Sequence, residues 1–158
     1  MNNVNNVRLK DMWPFMKEQI DSGKTVKFAP RGTSMLPMLR QGIDSVVLKA
    51  APDRLKKYDL PLYQRADGQF VLHRVVEVKK DSYTMCGDNQ YMREYGIKQK
   101  NILAVAAGFY RGDTYIDCNE KKYCNYCIKQ VKKQRIGYYI LRFKQLVKKL
   151  LKKFIKTV

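Results

Sequence analysis

Apolar positions change their period along the chain, and each change marks an element. In residues 11–23, Phe15, Met16 and Ile20 share a helical face, Asp11 stands at a capping position, Pro14 falls in the tolerated first turn, and Gly23 follows as a stop. A short helix is expected there. From residue 24 the period drops to two. Strand-like runs occupy residues 24–29, 45–50, 60–65, 69–78, 83–86, 102–110 and 114–116. Ala66-Asp67-Gly68 makes a hairpin of the third and fourth runs, and Arg111-Gly112-Asp113 turns between the last two. Residues 30–42, punctuated by Pro30, Gly32, Pro37 and Gly42, read as a structured loop. Beyond Cys127 the helical period returns, with Ile136, Ile140, Phe143, Val147, Leu150 and Phe154 spaced by fours and threes. The expected fold class is mainly β with a helix at each end. It divides into an N-terminal segment (1–23), a β domain (24–117), and a Cys-containing linker with a basic amphipathic helix (118–158).

A chain of 158 residues has room for one domain with one real core, and an apolar fraction of 45% excludes a mostly disordered chain. Charge changes the picture more. The net +18 is uneven: from Lys121 onward there are thirteen Lys and Arg and no acid, so the first 120 residues carry only +5. Residues 1–7 lack the basic and apolar regions of a secretory signal, and charges interrupt every apolar run before it reaches the ~20 residues of a membrane span. The expectation is a cytoplasmic protein without signal peptide or transmembrane helix, peripheral on the inner membrane face if its tail binds there. Cys86, Cys118, Cys124 and Cys127 are then reduced thiols. The C-x5-C-x2-C group has neither a second C-x2-C nor a spare histidine, so no metal or cofactor is expected.

Three short segments carry candidate chemistry. Arg31-Gly32-Thr33-Ser34-Met35-Leu36-Pro37 sets a serine between a permissive glycine and a stiffening proline, a loop that suits a turn or cap as well as a nucleophile. The single histidine, His73, lies in the long run 69–78, where alternation puts it on the face of Val71 and Val75. A neutral imidazole there can take a hydroxyl proton near neutral pH and return it to a leaving amine. Gly87-Asp88-Asn89 ends a strand one short hairpin later and reads alone as a turn. Together Ser34, His73 and Asp88 supply nucleophile, base and orienting carboxylate.

The ordered set Gly32-Thr33-Ser34-Met35-Leu36-Pro37, Asp44 with Val46-Val47, Lys57-Tyr58-Asp59-Leu60, His73-Arg74-Val75 and Gly87-Asp88-Asn89 resembles type I signal peptidases over roughly residues 25–110. In the wider clan, with leader peptidases and LexA-type self-cleaving repressors, a lysine often stands where His73 is. The histidine version is similar to the endoplasmic-reticulum, archaeal and sporulation-associated branch. The resemblance implies a β peptidase fold that binds an extended substrate strand by β-augmentation and cleaves after small residues. It implies Ser34 as nucleophile, His73 as base, the Ser34 N–H in the oxyanion site, and Gly32, Thr33 and Met35 in the substrate groove. Two acids match orienting positions in that branch: Asp88, ranked first, and Glu94, six residues later, ranked second. Tyr58 stands where a glycine is usual, which is expected to change a turn, and no counterpart of the family's N-terminal membrane anchor is expected.

In residues 136–158 the apolar stripe is surrounded by Arg142, Lys144, Lys148, Lys149, Lys152, Lys153 and Lys156, the pattern of a helix lying on an anionic membrane. The alternatives are a stripe packed on the domain, or binding to an acidic peptide or nucleic acid; the stripe argues against nucleic acid as sole partner. The function expected is a serine endopeptidase acting on an extended leader-like or signal-like peptide. The alternative is a non-catalytic basic module that binds a membrane or an acidic partner.

Overall fold

The computed structural model describes the backbone of residues 9–155 and the side chains of residues 9–148 and 151. The first helix, α1 (Leu9–Asp21), turns Trp13, Met16 and Ile20 to the core, three and four residues apart. Because the helix already runs from Leu9, its buried stripe differs from the one expected. Phe15 is 73% exposed, Asp11 lies inside the first turn rather than capping it, and Pro14 sits deeper in the helix.

Nine strands follow: β1 (Val26–Phe28), β2 (Ser45–Lys49), β3 (Pro61–Gln64), β4 (Phe70–Leu72), β5 (Arg74–Val78), β6 (Tyr83–Cys86), β7 (Glu94–Ile97), β8 (Ile102–Arg111) and β9 (Thr114–Asp117). Six form an antiparallel sheet in the order β1-β2-β8-β3-β4, with β9 also paired to β8; β5, β6 and β7 form a second antiparallel sheet. Strand alternation places Val46, Leu48, Leu62, Leu72, Ala104 and Ala106 on the face covered by α1 and the loop of residues 30–42. Tyr63, Val71 and Val105 point the other way, against Val75, Tyr83 and Met85 of the smaller sheet. Both faces of the larger sheet are therefore buried.

The run 69–78, expected as one strand, is two. β4 pairs with β3 in the first sheet, β5 pairs with β6 in the second, and His73 is the residue at which the chain crosses between them. β7 was not foreseen, because Glu94-Tyr95-Gly96-Ile97 is short and only partly buried, with no apolar alternation. The turn at Tyr58 survives the missing glycine: Tyr58 itself adopts the left-handed conformation (φ 81°), and its N–H donates to the Val75 carbonyl at 2.8 Å.

The last helix, α2 (Lys121–Ile155), is one continuous element of 35 residues. It starts seven residues before the expected position beyond Cys127, so Cys124 and Cys127 belong to a helix and not to a linker. Its first half packs on the sheets: Tyr123 and Cys127 join the main core, and Val131 joins Val76 and Cys86. Among the described residues no helix is long and apolar enough to cross a membrane.

Candidate active site

Ser34 sits in a chain of tight turns, with the Leu36 N–H donating to the Thr33 carbonyl and the Leu39 N–H to Met35. The buried side chains of Met35, Met38 and Leu39 hold this loop to the core. Its far end is fixed by Asp44, whose carboxylate accepts from the Arg40 N–H, the Arg40 guanidinium and the Gly112 N–H. Those bonds hold Asp44 down at a pKa of about 2, the Arg40 side chain contributing most. The Ser34 carbonyl accepts from the Asn89 N–H at 2.8 Å, so the serine loop is tied to the turn after β6. The Ser34 hydroxyl and N–H make no hydrogen bond among the described residues.

His73 is 4% exposed and is gripped from its Nδ1 side. Glu94 Oε1 lies 3.1 Å from Nδ1, and the Tyr63 hydroxyl lies 3.4 Å from the same nitrogen. Nδ1–H donation to the carboxylate leaves the Nε2 lone pair free. Nε2 faces the serine loop across Gly87: a Cβ on that glycine would meet the Ser34 carbonyl oxygen at 2.7 Å and His73 Nε2 at 3.0 Å. Only a residue without a side chain lets the three segments close up there. Burial, the dominant influence, holds His73 below its ordinary value of 6.5, although the nearby Glu94 carboxylate favours the charged form.

Glu94 is itself oriented. The Arg65 Nε donates to Oε2 at 2.7 Å, its terminal nitrogen donates to Oε1, and a further Arg65 nitrogen reaches Gln69. Burial alone would raise Glu94, but the hydrogen bonds from Arg65 and Tyr63 outweigh it and hold the carboxyl below its usual value of 4.5. The Tyr63 hydroxyl is kept protonated by burial and by the adjacent carboxylate.

Asp88, ranked first from the sequence, serves a different partner. It takes a bidentate pair of bonds from fully buried Arg74, at 2.8 and 2.7 Å, and a third from the Tyr126 hydroxyl at 3.0 Å. No hydrogen bond or ion pair joins Asp88 to His73 among the described residues; both of its carboxylate oxygens are taken by Arg74 and Tyr126. Arg74 extends the brace to the Tyr58 carbonyl, the Tyr123 hydroxyl and Cys127. Helix α2 completes it, with Gln130 donating to the Asp88 carbonyl and Gln134 to the Gly87 carbonyl.

Ser34 and His73 open into one cleft of about 240 Å³, whose walls include Arg31, Met35, Phe70 and Leu72. Of the groove residues expected, Met35 is buried in its wall and exposed Gly32 lines it, whereas Thr33 is exposed and is not part of its lining. The Gly32 N–H is already taken by the Gln41 side-chain oxygen at 2.6 Å, which leaves the Ser34 N–H as the open backbone donor of this pair. β4 ends its sheet, so beside the cleft it offers an edge with no neighbouring strand among the described residues.

Arg65, Tyr63, Gln130 and Gln134 belong to the site and carried no sequence signal, Tyr63 being an ordinary strand residue, Arg65 the residue just after that strand, and the glutamines ordinary helix residues. Among the described residues no cluster of His, Cys, Asp and Glu is placed to hold a metal ion. Burial pushes Cys86 and Cys118 up to about 12, so both are neutral thiols. Arg142 and Lys148 are exposed on α2, whereas the side chains of Lys149, Lys152 and Lys153 lie outside the described residues. Comparison with protein-family models, with curated proteins and with solved structures finds no match to this chain.

Proposed function

We propose that this protein is a serine endopeptidase working through Ser34, His73 and Glu94. The observation that carries the reading is the two-sided environment of His73: a carboxylate 3.1 Å from Nδ1, and Nε2 turned to the Ser34 loop across a glycine that tolerates no side chain. An imidazole so held is a base with one proton-accepting nitrogen, and it lines the same cleft as Ser34, whose hydroxyl has no hydrogen bond among the described residues.

In the reaction proposed, Ser34 Oγ attacks a peptide carbonyl while His73 Nε2 takes its proton. The Ser34 N–H stabilises the negative oxygen of the tetrahedral intermediate. His73 then gives the proton to the departing amine, leaving an ester on Ser34, and the same nitrogen activates the water that hydrolyses it. The free edge of β4 supports an extended substrate, which would add as a further strand beside Ser34. The signal peptidase-like arrangement of motifs adds the expectation of small residues next to the cut bond.

The test is cleavage of small-residue-rich extended peptides by wild type, Ser34→Ala and His73→Ala. Wild-type turnover should fall by at least about 10⁴-fold in either variant, with melting temperatures little changed. Equal turnover in all three would overturn the assignment.

A further inference from the structure

The second half of α2 carries an apolar stripe that its own chain does not cover. The helix docks through Gln130 and Gln134, then through Gly137, against whose backbone the Tyr91 ring is packed, and Leu141, which lines a cavity beside Glu94. These positions recur at three- and four-residue spacing and form one face. Ile136, Ile140, Phe143 and Val147 recur at the same spacing, but at 3.6 residues per turn their stripe lies roughly 120° around the helix from the docked face. They point away from the domain. Ile136 is 63% exposed, Ile140 51%, Phe143 66% and Leu151 57%. The domain cannot cover this stripe without releasing the Gln130 and Gln134 bonds that brace the turn at Gly87 and Asp88.

Charge identifies the occupant. At 3.6 residues per turn exposed Lys132 and Arg135 lie roughly 60° and 120° around the helix from the stripe on one side, exposed Lys144 and Lys148 roughly 60° and 100° on the other, and no acid occurs from Lys121 onward. A second copy laid on this face would bring two strongly positive helices together with nothing to neutralise them. Nucleic acid would satisfy the cations and leave the stripe in water. A surface that is anionic at headgroup depth and apolar just beneath it satisfies both.

We propose that α2 binds an anionic lipid bilayer in its interfacial plane through the face carrying Ile136, Ile140, Phe143, Val147 and Leu151. Because α2 is one helix from the brace at Gln130 and Gln134 to the end of this stripe, binding sets how the Ser34 cleft faces the bilayer. The assignment does not depend on Ser34 being a nucleophile.

The test is sedimentation of the full chain with phosphatidylcholine vesicles, with and without phosphatidylglycerol, alongside light scattering of the protein alone. Wild type should sediment with the anionic vesicles only, and less as salt is raised. Ile140→Asp with Phe143→Asp should weaken partitioning by roughly tenfold or more, and so should Lys144→Glu with Lys148→Glu; these exposed positions leave the fold intact by circular dichroism. The proposal is overturned by wild type that ignores anionic vesicles, or by binding that the aspartate pair leaves unchanged. A dimer in solution that the same pair dissociates would also overturn it and make a second copy the occupant.

Discussion

Burial, acting on one imidazole, sets the pH behaviour expected of this site. His73 is lowered by desolvation, the charge of Glu94 offsetting part of the shift, and the neutral form is the base in the reaction proposed. kcat/KM should therefore rise with pH along a limb centred below 6.5 and level off above it. Glu94→Gln removes the charge that favours the imidazolium, so the limb should move lower still while kcat falls about 10²–10⁴-fold; a pH–rate series on both proteins checks this. The stability sign follows. An unfolded chain binds a proton at His73 below 6.5 where the folded chain resists it, so this contribution is complete above 6.5 and is lost as pH falls toward the lower folded value. Glu94 adds a second loss below 4.5, where an unfolded carboxyl takes up a proton that the depressed folded one still resists. Urea midpoints across that range should fall in two stages. Gly87→Ala isolates packing from titration: its methyl would sit 2.7 Å from the Ser34 carbonyl and 3.0 Å from Nε2. Forcing those groups apart should cost about 1–3 kcal/mol of stability and at least about 10²-fold in kcat, read by calorimetry and turnover.

Among the elements, the crossing from β4 to β5 does most to shape the site. Alternation along the run 69–78 was legible in the sequence; the change of sheet at His73 was not, because every residue from Val71 to Val76 is buried and nothing in the pattern marks the break. The crossing sends His73 to Glu94 and Arg74 to Asp88, and the two acids acquire different work. Asp88→Asn should behave as a structural lesion. With Arg74 left buried and unpaired, stability should drop by about 3–5 kcal/mol, while the acid limb of the pH profile moves lower by less than in Glu94→Gln, Asp88 being the weaker of the two charges acting on His73. If that limb moved as in Glu94→Gln and the melting temperature held, the division of labour would be wrong. The turn at Tyr58 makes a related point at lower cost. A left-handed tyrosine is strained by roughly 1 kcal/mol, and its carbonyl is one of the acceptors that hold Arg74 in place.

For the whole molecule, α2 is both part of the core and a projection from it. Removing everything from Lys121 would strip Tyr123, Tyr126, Cys127 and Gln130 from the brace around Arg74 and Asp88, a loss of at least about 5 kcal/mol, comparable with the stability of a domain this size. Truncation after Leu141 should leave the melting temperature within a few degrees of the full chain, since the described side chains beyond it are exposed. Thermal melts of the two truncations test this division. Properties carried by neighbours along the chain were legible in residue order: strand and helix periods, a mainly β body between two helices, the serine loop, a single histidine and a uniformly basic tail. These follow from local geometry, in which a period of two or 3.6 residues is written directly into the order of apolar positions. Tertiary structure alone decided that Glu94 and not Asp88 faces His73, that Arg65 and Tyr63 hold that carboxylate, and that the stripe on α2 looks away from the domain. Each depends on which side of an element meets which neighbour, and that is settled by packing between residues far apart in the chain.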